Sequence, residues 1–174
     1  MSEPSENSCE ELWRRLVEAE AAFYFARMAL FSSCRSKFVD LTRAALQHPN
    51  QRITALNIAK LLTIEERQSL FPDLLAMACF GHGLTGAAYE LVLSLPHEWL
   101  INNIEEAAEP LLKHDDYEQY RGLFQIYIEL DLKLARSLAE RTAKHSDIDI
   151  REASDDFFRA LDVRSNVSTR LPGD

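Results

Sequence analysis

Glycine and proline are scarce in this chain, five and six residues of 174, and that scarcity limits the folds open to it. Hairpins and sandwiches need a turn signal every few residues, so the composition favours long helices joined by short connections. Cysteine is equally sparse. Cys9, Cys34 and Cys79 are odd in number and lack C-x-x-C spacing, which points to neither a disulfide framework nor a cysteine zinc site. They read as thiols, with Cys34 and Cys79 as semi-buried small hydrophobes and Cys9 as exposed. No apolar run approaches the roughly 20 residues that span a bilayer. The polar, acidic stretch from Met1 to Glu11 has neither the basic start nor the apolar run of a signal peptide. The expectation is a cytoplasmic protein with no membrane association.

Basic residues are also outnumbered, 19 Lys and Arg against 28 Asp and Glu, for a net charge of −9. The imbalance sits in the second half: residues 98–162 hold 16 acids and 8 bases, whereas residues 1–97 hold 11 acids and 9 bases. Such a surface repels phosphate, so nucleic acid is not an expected partner, nor is an anionic membrane. A solvated, solubilising face is the plainer reading of this charge.

What the chain has in quantity is helical periodicity. Hydrophobic residues make up 47% and charged residues 27%, ordinary values for a folded domain. The length suits one domain over 1–161, with a divergent part at about 1–62 and a flexible tail at 162–174. The first predicted helix runs from Ser8 to about Phe31. Its second half, Ala19 to Leu30, is apolar nearly all round, so it should be buried on several sides or meet a partner, with a homo-oligomer through this helix as one possibility. Further helices are expected over Arg35–Gln47, up to Leu62, over Thr63–Phe80 with a kink or break at Pro72, and near Thr85–Leu93. Another follows Pro96, with Pro110 bending or ending it. Thr63-Ile64-Glu65-Glu66 is a capping box. Asp115 or Asp116, Asp131 and Asp147 are each placed to start a helix. The last helix is expected to end near Leu161. The sum is seven to nine helices and no sheet.

Three constellations could carry chemistry. Gly81-His82-Gly83-Leu84-Thr85-Gly86 matches G-x-G-x-x-G, but a dinucleotide site needs a preceding strand, and a helix precedes it here; a helix-terminating turn is the better reading. His114-Asp115 resembles the dipeptide of HD-type metal phosphohydrolases, with His82 upstream and Asp131, Asp147 or Asp149 as a distal acid, so a metal-dependent phosphohydrolase centred on His114 and Asp115 is the alternative function. Those aspartates equally suit helix caps. Cys79 and His82 are three apart, but Cys79 is expected on an apolar helix face, where a thiol is inert. No bound metal or nucleotide cofactor is therefore expected.

The joint His145-Ser146-Asp147-Ile148-Asp149-Ile150-Arg151-Glu152-Ala153 suits stacked helices: a capping aspartate, an Ile-Arg pair one turn in, and a small Ala for close approach. Superposing His48 on His145 places Ala45 beside Thr142, Asn50 beside Asp147 and Ile53 beside Ile150, a weak internal repeat. Leu70 to Phe158 resembles the HEAT-like helical-repeat regions of bacterial proteins, including those that follow NACHT-type signalling ATPase modules of the STAND class. The matching phrases are Leu91-Val92-Leu93-Ser94-Leu95-Pro96-His97-Glu98-Trp99, Asn103-Ile104-Glu105, Ala108-Glu109-Pro110-Leu111-Leu112, Glu118-Gln119-Tyr120-Arg121 and Asp147 to Ala153. The resemblance implies an all-α fold of antiparallel helix pairs stacked as a short α-solenoid that scaffolds or senses by binding, without catalytic residues. No P-loop accompanies it, so ATP-driven signalling is not implied. The expected function is a non-enzymatic protein-binding module, such as an adaptor, regulatory or immunity-type component. Its expected ridge is Glu118, Arg121 and Gln125 on one helix and Arg151, Asp155 and Arg159 on another, each trio at three- or four-residue steps.

Overall fold

A computed structural model describes residues 6–81 and 83–168. Among them there is no strand, and ten α-helices form with two single-turn 3-10 segments. The helices are α1 (Glu6–Cys34), α2 (Phe38–Leu46), α3 (Arg52–Ala59), α4 (Ile64–Ser69), α5 (Phe71–Cys79), α6 (Thr85–Leu93), α7 (His97–Leu112), α8 (Tyr117–Leu130), α9 (Leu132–Ala143) and α10 (Ile148–Ser168). The protein is all-α, as the periodicity predicts. The count exceeds expectation mainly because Thr63–Phe80 forms two helices. Leu70 ends α4 and starts α5, and Pro72 lies in the first turn of α5, where its missing N–H costs nothing. Pro110 does not end α7 at its own position; the helix runs on to Leu112. Glu106, whose carbonyl loses its partner, is exposed, so water can satisfy it. The last helix does not stop near Leu161 but continues to Ser168, and the remaining tail, 169–174, lies outside the described residues.

The chain divides into two compact units, Met1–Leu41 and Thr42–Asp174. The division falls inside α2. Ala55, Leu56, Ile58 and Ala59 of α3 are buried, and α3 packs on α6 within the second unit. The first unit is dominated by α1. Glu11, Arg14, Arg15 and Glu18 form ion pairs along one side of it, and Phe31 meets Phe38 edge-on at 4.3 Å.

In the second unit, α8 is central. It packs on α5, α7, α9 and α10 and buries Tyr120, Leu123, Phe124, Ile126, Tyr127 and Leu130. Full burial of each large apolar side chain contributes roughly 1.5–3 kcal/mol, which explains why this face is so uniformly apolar. Two contacts set its neighbours. Gly122 lets α8 approach α5 so closely that a Cβ there would stand 2.5 Å from Cys79 Cα. On the other side, Phe124 stacks on Phe157 of α10, with ring centroids 4.1 Å apart and planes 3° from parallel.

The joints are made as their sequences suggest. Thr63 and Glu66 form the reciprocal capping box. Asp116 accepts the Glu118 N–H at 2.9 Å, Asp131 accepts those of Lys133 and Leu134, and Asp147 accepts those of Asp149 and Ile150 at 2.9 and 3.2 Å. Asp131 serves as both the C-cap of α8 and the N-cap of α9, so one residue connects the two helices. The proposed equivalence of the His48 and His145 joints holds only in part. His48 and His145 each donate their N–H to the carbonyl three residues back, on Ala45 and Thr142. Beyond that they diverge: a 3-10 turn, Pro49–Gln51, replaces the aspartate cap, and Ile53 is 59% exposed where Ile150 is 1% exposed.

Candidate functional site

Glu118, Arg121 and Gln125 project from the exposed face of α8, opposite its buried stripe, because their spacing keeps them on one side of a 3.6-residue turn. They form one wall of a cleft of about 270 Å³. Phe80, Gly81 and Thr85, around the α5–α6 turn, form the other wall. The turn is held by the Thr85 hydroxyl, which donates to the Phe80 carbonyl at 2.7 Å, and Phe80 stays half exposed. Arg121 lies over the Tyr117 ring at 5.6 Å, a cation–π contact that holds the guanidinium at the surface.

Where α8 meets α10 the surface opens into a groove of about 450 Å³ lined by Tyr117, Asp149, Glu152, Ala153 and Asp156. The sequence reading missed this groove, since its acids belong to one helix and its aromatic to another. Arg151, Asp155 and Arg159 are exposed on α10, yet both arginines already have intramolecular work. Arg151 donates to the carbonyls of His145 and Ser146 at 2.8 and 3.3 Å, tying α10 to the joint that precedes it. Arg159 donates to the Asp155 carbonyl at 3.3 Å and pairs with Asp156 at 2.6 Å. Such exposed pairs are worth little to stability. The structure thus brings the α8 trio to a cleft, and ties the two α10 arginines to their own helix and its joint.

The described residues of the HD-like alternative form no grouped set of metal ligands. His114 is exposed, and Asp115 adopts a left-handed backbone, φ 49°, which aspartate tolerates better than most residues. Asp115 Oδ1 stands 3.0 Å from His145 Nε2. Because His145 Nδ1 accepts the Asp147 N–H at 3.0 Å, Nε2 carries the ring proton and donates it to Asp115. The pair links the α7–α8 joint to the α9–α10 joint. Asp131 and Asp147 are committed as caps. His82 lies outside the described residues, and among those described no three His, Cys, Asp or Glu side chains are grouped to hold a metal ion. The segment with the G-x-G-x-x-G spacing links α5 to α6 and follows a helix, as expected of a terminating turn.

Glu109 and Arg141 join α7 to α9 at 2.7 Å; the bond to Arg141 holds the Glu109 carboxyl below the usual range. Cys9 is exposed, Cys34 half-buried and Cys79 buried. Burial pushes the Cys79 thiol up to about 12, so it is a poor nucleophile. Burial likewise raises Tyr120 and Tyr127. These three groups ionise more readily unfolded than folded. Their stabilisation is complete below the unfolded thiol range and is lost as pH rises. The urea midpoint should therefore fall progressively above about pH 9, and Ellman's reagent should leave one thiol per chain unreacted until denaturant is added. A flat midpoint to pH 11 would contradict the burial of these groups.

Asp147→Ala should lower stability by about 0.5–2 kcal/mol through loss of the α10 cap, read as a urea midpoint. An unchanged midpoint would mean that the two N–H bonds to Asp147 carry no stability.

No protein-family model matches the chain, and no similar curated protein or solved structure is found. No helix among the described residues is long and apolar enough to cross a membrane.

Proposed function

We propose that the protein is a non-enzymatic, cytoplasmic binding module of HEAT-like, α-solenoid character, which engages a protein partner along α8 and α10. What carries the reading is the cleft walled by Glu118, Arg121 and Gln125 and by the α5–α6 turn. Its walls present charges of both signs, an amide and an exposed aromatic ring, which suit a polypeptide side chain. The neighbouring acidic groove extends the same surface towards α10. Consecutive helices sharing neighbours, as α7 and α9 share α8 and as α5 and α10 flank it, offer the extended face on which repeat proteins bind. Of the acids of the alternative enzyme site, Asp131 and Asp147 cap helices, Asp115 faces His145 and Asp149 lines the acidic groove.

The test is affinity capture from source-cell lysate with the intact chain and with Arg121→Glu and Arg159→Glu variants, followed by reconstitution with the purified partner. Binding should weaken on either reversal, more so at low salt. Equal binding by all three proteins across about 50–300 mM salt, a range that changes the screening length, would remove the interface from this surface.

A further inference from the structure

The first helix presents an apolar surface out of keeping with its length and exposure. Leu12, Trp13, Leu16, Val17, Phe23, Tyr24 and Met28 are all more than 40% exposed, Trp13 as much as 68%. At 100° per residue these seven lie within an arc of roughly 160°. The opposite side holds Glu11, Arg14, Arg15 and Glu18, joined in ion pairs along the helix, with Phe25 as the one large apolar side chain of α1 outside the arc that is as exposed. An aromatic-rich face of this extent is larger than a solitary chain ordinarily leaves to water.

The charges on that arc identify what covers it. Between Leu12 and Phe31 only two charged residues fall within it, Glu20 and Arg27, of opposite sign and two turns apart. The Arg27 guanidinium lies over the rings of Phe23 and Tyr24, at 5.6 and 5.7 Å. A two-fold axis midway between Glu20 and Arg27, at Phe23–Tyr24, sets each Glu20 against the other copy's Arg27. The aromatic rings then meet at the centre. A parallel arrangement would set Glu20 against Glu20 and Arg27 against Arg27, which is repulsive twice over. The distribution along the helix agrees. Residues 8–20 carry four acids and two bases, whereas residues 21–37 carry three bases and no acid, so antiparallel copies place the acidic half against the basic half on both sides. We propose that α1 is a homodimerisation element that pairs with α1 of a second copy, antiparallel, about an axis at Phe23–Tyr24 and in a register selected by Glu20 and Arg27.

The proposal uses no residue of the α8 cleft, so it stands or falls independently of the binding function. Sedimentation velocity of the full chain at tens of micromolar should give twice the 19.9 kDa chain mass. Glu20→Arg should weaken the dimer about tenfold or more, and Arg27→Glu likewise, while Glu20→Arg with Arg27→Glu in one chain restores it. Glu20 is exposed and Arg27 half-buried, and unchanged helix content by circular dichroism confirms that each variant still folds. The two thiols report direction. Cys9 and Cys34 are about 37 Å apart on one α1 and cannot be bridged within it, but the proposed register brings Cys9 of one copy within about one turn of Cys34 of the other. A short bis-maleimide should therefore yield a Cys9–Cys34 dimer by peptide mapping. A monomer under these conditions, including one that sediments instead with anionic vesicles, overturns the proposal. So does a Cys9–Cys9 product or failure of the charge swap to restore the dimer.

Discussion

Replacing Gly122 with alanine should lower stability by about 1–3 kcal/mol, the usual cost of overpacking a close contact, even though alanine is the better helix former by about 1 kcal/mol. The added Cβ would lie 2.5 Å from Cys79 Cα and 3.0 Å from both the Cys79 carbonyl oxygen and Cβ. Two of those three atoms belong to the backbone, so relief requires α8 to move away from α5. That displacement also opens the wall of the cleft formed by Glu118, Arg121 and Gln125. Gly86→Ala is the control: nothing lies within 4 Å of its added methyl, and α6 should gain up to about 1 kcal/mol. Both are read as urea midpoints. Equal responses at the two positions would mean that α5 and α8 do not approach as closely as described.

Phe157→Ala should cost about 3–5 kcal/mol, because it removes a 4%-exposed ring and leaves its space unfilled. The ring stacks directly on Phe124, so the loss falls on the contact that joins α10 to α8. Phe157→Leu retains much of the volume and should cost distinctly less. A double-mutant cycle with Phe124→Ala should show coupling of about 0.5–1.5 kcal/mol. Additive effects would show that the two rings are buried separately and do not support one another. Loss of this contact should also disturb the acidic groove between Tyr117 and Asp149, so variants at Phe157 are unsuitable for mapping a binding surface.

The sequence itself was sufficient for features that depend on nearest neighbours. Thr63 and Glu66 could be read as a capping box because that bond closes over three residues, and Asp131 and Asp147 as caps because their acceptors serve N–H groups two and three residues on. The Thr85–Leu93 helix was legible for the same reason. Helix ends with weaker signals were less so: nothing local to Leu161 stops α10, and Pro110 stands close enough to the end of α7 that the helix tolerates it.

The α8 trio was legible as one helical face, but not the wall opposite it. Phe80 and Thr85 lie far from Glu118 in sequence, and only the packing of α5 on α8 brings them together. The one local hint was Gly122, an isolated glycine inside an otherwise helical run, which marks a close approach without naming what approaches. Arg151 and Arg159 shared a face with Asp155 by spacing, yet spacing could not distinguish a side chain offered to a partner from one satisfied at home. The carbonyls of His145 and Ser146 decided that for Arg151, and Asp156 for Arg159.

The sequence by itself determined the all-helical class, the placement of most joints and the apolar second half of α1, because helix propensity, capping and periodicity are properties of contiguous residues. Tertiary structure decided which apolar positions are buried, as Ile53 and Ile150 show: both follow similar joints, but only Ile150 enters a core. It also decided that Asp115 faces His145 and that Arg121 borders a cleft, because burial and pairing depend on the distance between helices. That distance is set by contacts such as Gly122 with Cys79 and Phe124 with Phe157, between residues far apart in the chain.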